Sequence, residues 1–338
     1  MIALQSLWFS LVALLLVGYT VLAGFDLGIG AWGLIARKPD DRKVLLNAIG
    51  PFWDGNQVWL ISGGGSLFAA FPAVYASVFS GMYLALILVL LALVLRSVSI
   101  EFGSHASTDA ERERWGHTFA VTSAVAILLF GVAFGNLLRG VPLSVDGEYL
   151  GTFFTLLNPF ALLIGVLNLA MLATHGAVYL TLKTEGDFYT RAKRWARNAW
   201  AVYLPLALAT IVIASAMQPH LMTNYRALPL LWAVPALALL AIIFTGLWNA
   251  KEQPGKAFAA SSVGVILLFA SGAVGLFPTM VPALGHPAWN LTALNSSSSY
   301  LTLHVMAIVA LIGMPIVIGY TIWSYRVFRG KLKDSEHY

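Results

Sequence analysis

Four ionisable side chains stand where an apolar span would carry leucine or valine: Asp26, Asp54, Arg96 and Glu101. Asp26 lies in Gly24-Phe25-Asp26-Leu27-Gly28-Ile29-Gly30, eleven residues before Arg37, or about 16 Å along a helix. An ionised carboxylate at that depth is costly, so it needs a proton, a counter-charge or water. Proton handling and a neutral, hydrogen-bonded structural role both fit. Asp54 opens the run PFWDGNQVWLISGGGSLFAAFP (51–72). There it can cap a helix N-terminus, and capping is compatible with a proton relay. Arg96 and Glu101 close the next apolar run, antiparallel to the last, so Arg96 is expected to reach Asp54 or Glu101. The alternative is that both side chains snorkel to the interface. Taken together, the acids lie between one membrane face and the interior, and the chemistry they suggest is proton transfer.

The elements that hold them are membrane helices. The chain is 59% hydrophobic and 10% charged, with mean hydropathy +0.79, whereas soluble domains carry about 25% charged residues. The fold class is therefore an all-α polytopic membrane protein. Runs long enough to span number nine, at 6–35, 54–74, 76–101, 117–138, 154–182, 199–217, 228–248, 258–278 and 301–327. They form a single membrane domain over 1–338 with no soluble domain. The second and third are joined by the short turn Pro72-Ala73-Val74-Tyr75. The start of the chain lacks a basic region and a small-residue cleavage site, and reads as a first span.

With nine spans, 18 of the 20 Lys and Arg residues fall on one side, and only Arg139 and Arg226 on the other. Because basic loops stay in the cytoplasm, the N-terminus is expected outside and the C-terminus inside. The basic, amphipathic segment 183–198 suits the headgroup surface. Ser296–Ser299 reads as a cap and turn before the ninth span. Gly65–Pro72 and Ser271–Pro278 resemble each other and both end in Phe-Pro, which suggests two similar helical bundles with the last helix peripheral.

Several chemistries are excluded. There is no cysteine, hence no disulfide, thiolate metal site or cysteine nucleophile. No phosphate-binding loop, nucleophile motif or basic-aromatic nucleic-acid surface is present. His105, His117, His220, His286 and His337 fall at surfaces or in the tail. His175 and His304 are embedded but at opposite depths, so they are not expected to share a haem iron, and no metal or cofactor is expected on this chain. Trp53, Trp59, Phe68 and Phe71 are either packing and interface aromatics or the lining of a dry path for a small neutral molecule. The residues alone leave open an ion-coupled transporter acting by itself, with Asp26 as the ion site, and a purely structural membrane subunit.

GFDLGIG (24–30), GPFWDGNQVWLISGGGSLFAAFPAVYA (50–76), GVAFGNLLRGVPL (131–143) and LLNPFALLIG (156–165) resemble subunit II of the cytochrome bd-type quinol oxidases. The absence of a large insertion between the sixth and seventh spans resembles the short, cyanide-insensitive branch. The resemblance implies a bacterial cytoplasmic-membrane complex that oxidises quinol and reduces oxygen to water. It implies a partner, subunit I, carrying haems b558, b595 and d, and a small single-span subunit. The chain itself would hold no haem and would provide a path for protons and, as in some members, for oxygen. By motif, the resemblance assigns the proton path to Asp26, Asp54, Arg96 and Glu101, where Glu101 replaces a more usual Asp. It assigns Trp59 to the oxygen path. A second acid before Gly-Phe-Asp is replaced here by Ala23, and His175 and His304 replace amides.

Overall fold

The computed structural model describes residues 1–36 and 39–332. Arg37, Lys38, Lys333 and His337 lie outside the described residues. Within them are α1 (Ile2–Trp32), α2 (Pro39–Ile49), α3 (Trp53–Ala70), α4 (Pro72–Gly81), α5 (Tyr83–Ser104) and α6 (Asp109–Arg139). Then follow α7 (Pro159–Lys183), α8 (Gly186–Met217), α9 (Thr223–Ala227), α10 (Ala233–Ala250), α11 (Pro254–Leu276) and α12 (Tyr300–Val327). Eight helices are long and apolar enough to cross a membrane, with α10 counted from its 3-10 turn at Pro229. The α3–α4 pair also qualifies, but it is bent by 120°. With 18 residues, α3 is about 27 Å long, close to the ~30 Å hydrocarbon thickness. It can serve as a span without α4.

Several boundaries differ from expectation, among them the fourth span, whose helix α6 begins at Asp109 and not at 117. The turn at 72–75 is instead a ten-residue helix, α4, so the third span begins at Tyr83 and not at 76. Pro72 starts this helix because proline is suited to a first helical position, where its missing N–H costs nothing. The helix of the sixth span begins at Gly186, since residues 186–198 of the basic segment are the first turns of α8, whereas Lys183 ends α7. The two Phe-Pro ends also diverge: Pro72 opens α4, whereas Pro278 leads into the strand β1 (Thr279–Val281). The likeness between them therefore does not extend past the helix ends.

Helices α1, α3, α5 and α6 pack as one group, and α7, α8, α10 and α11 as another, with α7 joining them against α1 and α6. Helix α12 touches mainly α1 and α3 and is exposed along almost its whole length. At one end, β1 pairs with β2 (Leu291–Thr292) and Val141 bridges to Ala283. Ser299 caps α12 by accepting from the Thr302 N–H, and Ser298 donates to the Ala69 and Ala70 carbonyls at the end of α3. At the other end, α2, the start of α3 and the ends of α1, α5 and α7 share a core that includes Phe25, Ile49, Phe52, Ile100 and Tyr179. This is the basic end. Arg191 binds Asp41 at 2.6 Å, and Lys193 binds Glu252 at 2.6 Å. The Lys193 ammonium holds the exposed Glu252 carboxyl below the usual range.

The Gly-Phe-Asp-Leu-Gly motif is explained by helix contact. A Cβ on Gly28 would lie 1.9 Å from the Leu172 carbonyl oxygen of α7, and one on Gly176 would lie 2.5 Å from the Ile29 nitrogen. The backbones meet there, so α1 and α7 would have to separate to accept a methyl group. Gly28→Ala is expected to cost about 1–3 kcal/mol and to lower the thermal midpoint of the detergent-solubilised complex. Gly64→Ala should not, because no atom lies within 4 Å of its added Cβ. Equal midpoints for the two variants would contradict this packing. Of the three central glycines of α3, only Gly63 packs tightly, on Leu16 of α1. Gly64 and Gly65 have no atom within 4 Å of an added Cβ.

Candidate functional site

Asp26 is fully buried near the basic end of α1. Its Oδ2 accepts a 2.7 Å hydrogen bond from Asn56 Nδ2 of α3, which also donates to the Leu22 carbonyl at 3.0 Å. Asn56 Oδ1 accepts from the Tyr325 hydroxyl of α12 at 3.2 Å. The second carboxyl oxygen, Oδ1, has no protein partner. Asn56 thus links the carboxylate of α1 to Tyr325 of the otherwise peripheral α12.

Arg96 faces the same cluster from α5. It is 1% exposed, its Nε donates to Ser123 Oγ of α6 at 3.2 Å, and its guanidinium lies 5.3 Å over the Phe119 ring. Its Nη2 has no protein partner. Arg96 and Asp26 interact electrostatically without an ion pair within 4 Å, and both also act on Tyr19. The Tyr19 hydroxyl and Gln57 Nε2 are also buried there and interact with each other. Buried polar atoms in native proteins are nearly always satisfied by protein or by ordered water. Asp26 Oδ1 and Arg96 Nη2 are thus two buried polar atoms of this cluster left without a protein partner.

The other sequence candidates lie elsewhere. Asp54 is exposed in the first turn of α3. It does not cap that helix: the cap position is Phe52, without a side-chain bond. Glu101 is exposed on α5. Among the described residues, Arg96 forms no ion pair with Asp54 or Glu101, contrary to expectation. The reason is helical phase, since five residues place Glu101 about 140° around the helix from Arg96. Arg96 points into the bundle and Glu101 out of it, so neither acid nor base snorkels with the other.

Trp59 is half-buried, with its ring over Gly18 of α1, where a Cβ would come within 2.4 Å of it. A separate apolar groove of about 430 Å³ runs between α1, α3 and α12, bordered by Trp8, Leu15, Gly65 and Met306. His175 is fully buried on α7. Its Nδ1 meets Ser261 Oγ at 2.8 Å and its Nε2 meets the Val21 carbonyl at 3.1 Å. A carbonyl only accepts, so Nε2 carries the proton and Nδ1 accepts from the serine. Both nitrogens are therefore engaged in tying α1, α7 and α11 together. His304 is exposed on α12 and stacks on Tyr300. His175 thus has both ring nitrogens engaged, whereas His304 lies on the exposed face of α12, outside the bundle interior.

Sequence reasoning did not place Tyr19, Ser123 and Tyr325 at this site. Tyr19 could have been found, because seven residues separate it from Asp26 and put both on one helix face. Ser123 and Tyr325 come from distant elements and carry no local signal.

The chain matches the family model described as cytochrome bd terminal oxidase subunit II over residues 4–328. It is 38% identical to cytochrome bd-I ubiquinol oxidase subunit 2 of Escherichia coli K12, covering 98% of this chain and 96% of that one. It is 36% identical to cytochrome bd ubiquinol oxidase subunit 2 of Bacillus subtilis, covering 99% of each. Its fold resembles a chain of the bd oxidase from Geobacillus thermodenitrificans, with TM-score 0.80 and 17% identity over 96% of this chain and 98% of that one.

Proposed function

The chain belongs to the cytochrome bd terminal oxidase subunit II family, and from that premise we propose that it supplies the oxidase with a proton path built on Asp26 and Arg96. It is a membrane-spanning subunit of a quinol-oxidising terminal oxidase and works with a subunit I. Family membership also decides against the transporter reading. Protons consumed in reducing oxygen to water would rise from the cytoplasmic side through Asp26, and quinol protons would leave on the other side. Charge is then separated without a pump. The orientation follows from the basic end, which would face the cytoplasm, with the N-terminus outside and the chain in the bacterial cytoplasmic membrane.

The carrying observation is a wholly buried carboxylate with one oxygen held by Asn56 and the other unpartnered beside a buried guanidinium. As the family resemblance implies, the haems b558, b595 and d would sit in subunit I, and within this chain both nitrogens of His175 are already engaged. The partner's haems supply the electron and oxygen chemistry. This chain's residues hold and pass protons. A small single-span subunit, lipid and quinone complete the proposed surroundings.

Asp54 and Glu101 belong to this reading as outward-facing carboxylates on α3 and α5, available to water or to a partner. Asp54→Ala is expected to lower oxygen consumption by several-fold at unchanged haem content, read with an oxygen electrode and an optical spectrum. Full turnover in both Asp54→Ala and Asp26→Asn would remove the proton-path assignment. For oxygen, which is small and apolar, the candidate route passes Trp59 near the apolar groove. Trp59→Phe should shift KM for oxygen and leave the limiting rate with saturating oxygen intact. An unshifted KM would remove Trp59 from the route.

A further inference from the structure

Helix α12 is held near its two ends and lies open between them. Toward its start, Trp8 Nε1 of α1 donates to the carbonyl of the buried Leu303 at 2.9 Å. Toward its other end, the chain closes on α7 through two lysines. Lys331 Nζ donates to the Thr181 carbonyl at 3.0 Å and to the Thr184 carbonyl at 2.8 Å. The Leu332 N–H donates to the Lys183 carbonyl at 2.8 Å. In return, Lys183 Nζ donates to the Phe328 carbonyl, just past the end of α12. The last carbonyls of a helix have no partner within it, and a cation there also suits the helix dipole. Each of the two helix ends thus receives a lysine from the other. Thr181, Lys183 and Thr184 are buried, so losing the Lys331 ammonium would leave buried carbonyls unpaired. Lys331 is further seated against the Tyr189 ring of α8 at 5.5 Å.

Tyr325 lies in the last turn of α12, beside this exchange. Its ring stacks on Phe52 at 4.4 Å, and the Phe328 ring meets Phe52 edge-on at 5.9 Å. The Lys183 ammonium lies 5.5 Å over the same Phe52 ring. The Tyr325 hydroxyl donates to Asn56 Oδ1 at 3.2 Å, and the Asn56 amide in turn holds Asp26 at 2.7 Å. We propose that the exchange between Lys183 and Lys331 is a latch that positions Tyr325 against Asn56, and through it the amide on which Asp26 rests. This rests on the proton-path reading above and adds to it two residues that never touch the carboxylate. Both lysines are positioning residues. With the latch open, the middle of α12 offers little to hold its register, because that stretch is exposed. The Tyr325 hydroxyl then leaves Asn56, whose oxygen is buried with no other donor named to it. A latch that served stability alone would change yield and thermal midpoint and leave turnover per haem intact.

The test uses the assembled oxidase in membranes, with oxygen consumption normalised to haem absorbance. Lys331→Met is expected to lower the limiting rate about five-fold, as a small displacement of a positioned group can, with KM for quinol unchanged. Lys331→Arg, which keeps a cation at the same carbonyls, should hold most of the rate. Tyr325→Phe, which removes one hydroxyl and keeps the ring, should match Lys331→Met. The double variant should be no slower than either, whereas independent effects would multiply to about twenty-five-fold. Arg329→Met removes an exposed cation of the same segment and should keep the full rate. Should Lys331→Met fail to assemble, Lys331→Gln, whose shorter neutral amide cannot span both carbonyls, carries the same expectations. A full rate without the lysine, a Lys331→Arg as slow as Lys331→Met, or multiplied losses in the double variant overturns the latch. Asp26→Asn in the same membranes separates the two claims. If it is slow while Lys331→Met is at full rate, only the latch fails. If Asp26→Asn keeps full turnover, the proton path itself fails.

Discussion

Asp26→Asn is expected to lower oxygen consumption by the assembled oxidase by about a hundred-fold, within the range that a positioned proton donor or acceptor contributes. The substitution keeps the shape and the hydrogen-bonding capacity toward Asn56, so assembly and haem absorbance should remain normal. What it removes is the ability to take up and release a proton at a buried site that already has a hydrogen bond to one oxygen and none to the other. Oxygen-electrode rates normalised to haem content provide the measurement. Normal turnover at normal haem content would leave Asp26 as a neutral structural residue tying α1 to α3.

Arg96→Met should act differently, mainly through assembly. It deletes a guanidinium that is 1% exposed, donates to Ser123 and interacts electrostatically with Asp26. Removing one partner from a buried pair of charges typically costs on the order of 3–5 kcal/mol, because the remaining charge loses its compensation. Here the two groups do not form a direct ion pair, so the lower part of that range is expected. The amount of haem-bearing complex per membrane protein should fall sharply. Adding Asp26→Asn removes the stranded carboxylate and should recover part of the yield, with turnover still low. If Arg96→Met assembles normally and the double variant shows no recovery, the charges are not coupled.

Much of this was legible in the sequence because membrane helices signal themselves by composition. The apolar runs, and the depth of Asp26, followed from hydropathy and a 1.5 Å rise per residue. The segregated Lys and Arg residues also gathered at one end of the described bundle. What was not legible depended on phase and on distant contacts. Arg96 and Glu101 look like a pair in sequence, yet five residues turn them to different faces, and only a contact such as Ser123 reveals which face is buried. The turn after Phe71 read as four residues, because Pro72 interrupts an otherwise apolar stretch. In the fold, proline instead starts α4, and the third span begins at Tyr83. Asp54 looked like a cap because Asp favours that role, but the helix starts one residue earlier, at Trp53 after Phe52. Tyr325, from the far end of the chain, reaches Asn56 only because α12 lies against α1 and α3. Local pattern contains no trace of that.

The central claim is that protons for oxygen reduction pass through this subunit, and side-resolved proton uptake tests it most directly. Fully reduced oxidase in inverted membrane vesicles is mixed with oxygen, and a pH dye in the medium follows uptake from the cytoplasmic face over a single turnover. The unsubstituted complex should take up protons in step with oxygen reduction. Asp26→Asn should slow that uptake by about the same factor as turnover, on the order of a hundred-fold, while haem content stays unchanged. Uptake in Asp26→Asn at the unsubstituted rate would contradict the account and leave this chain as a structural subunit of the oxidase.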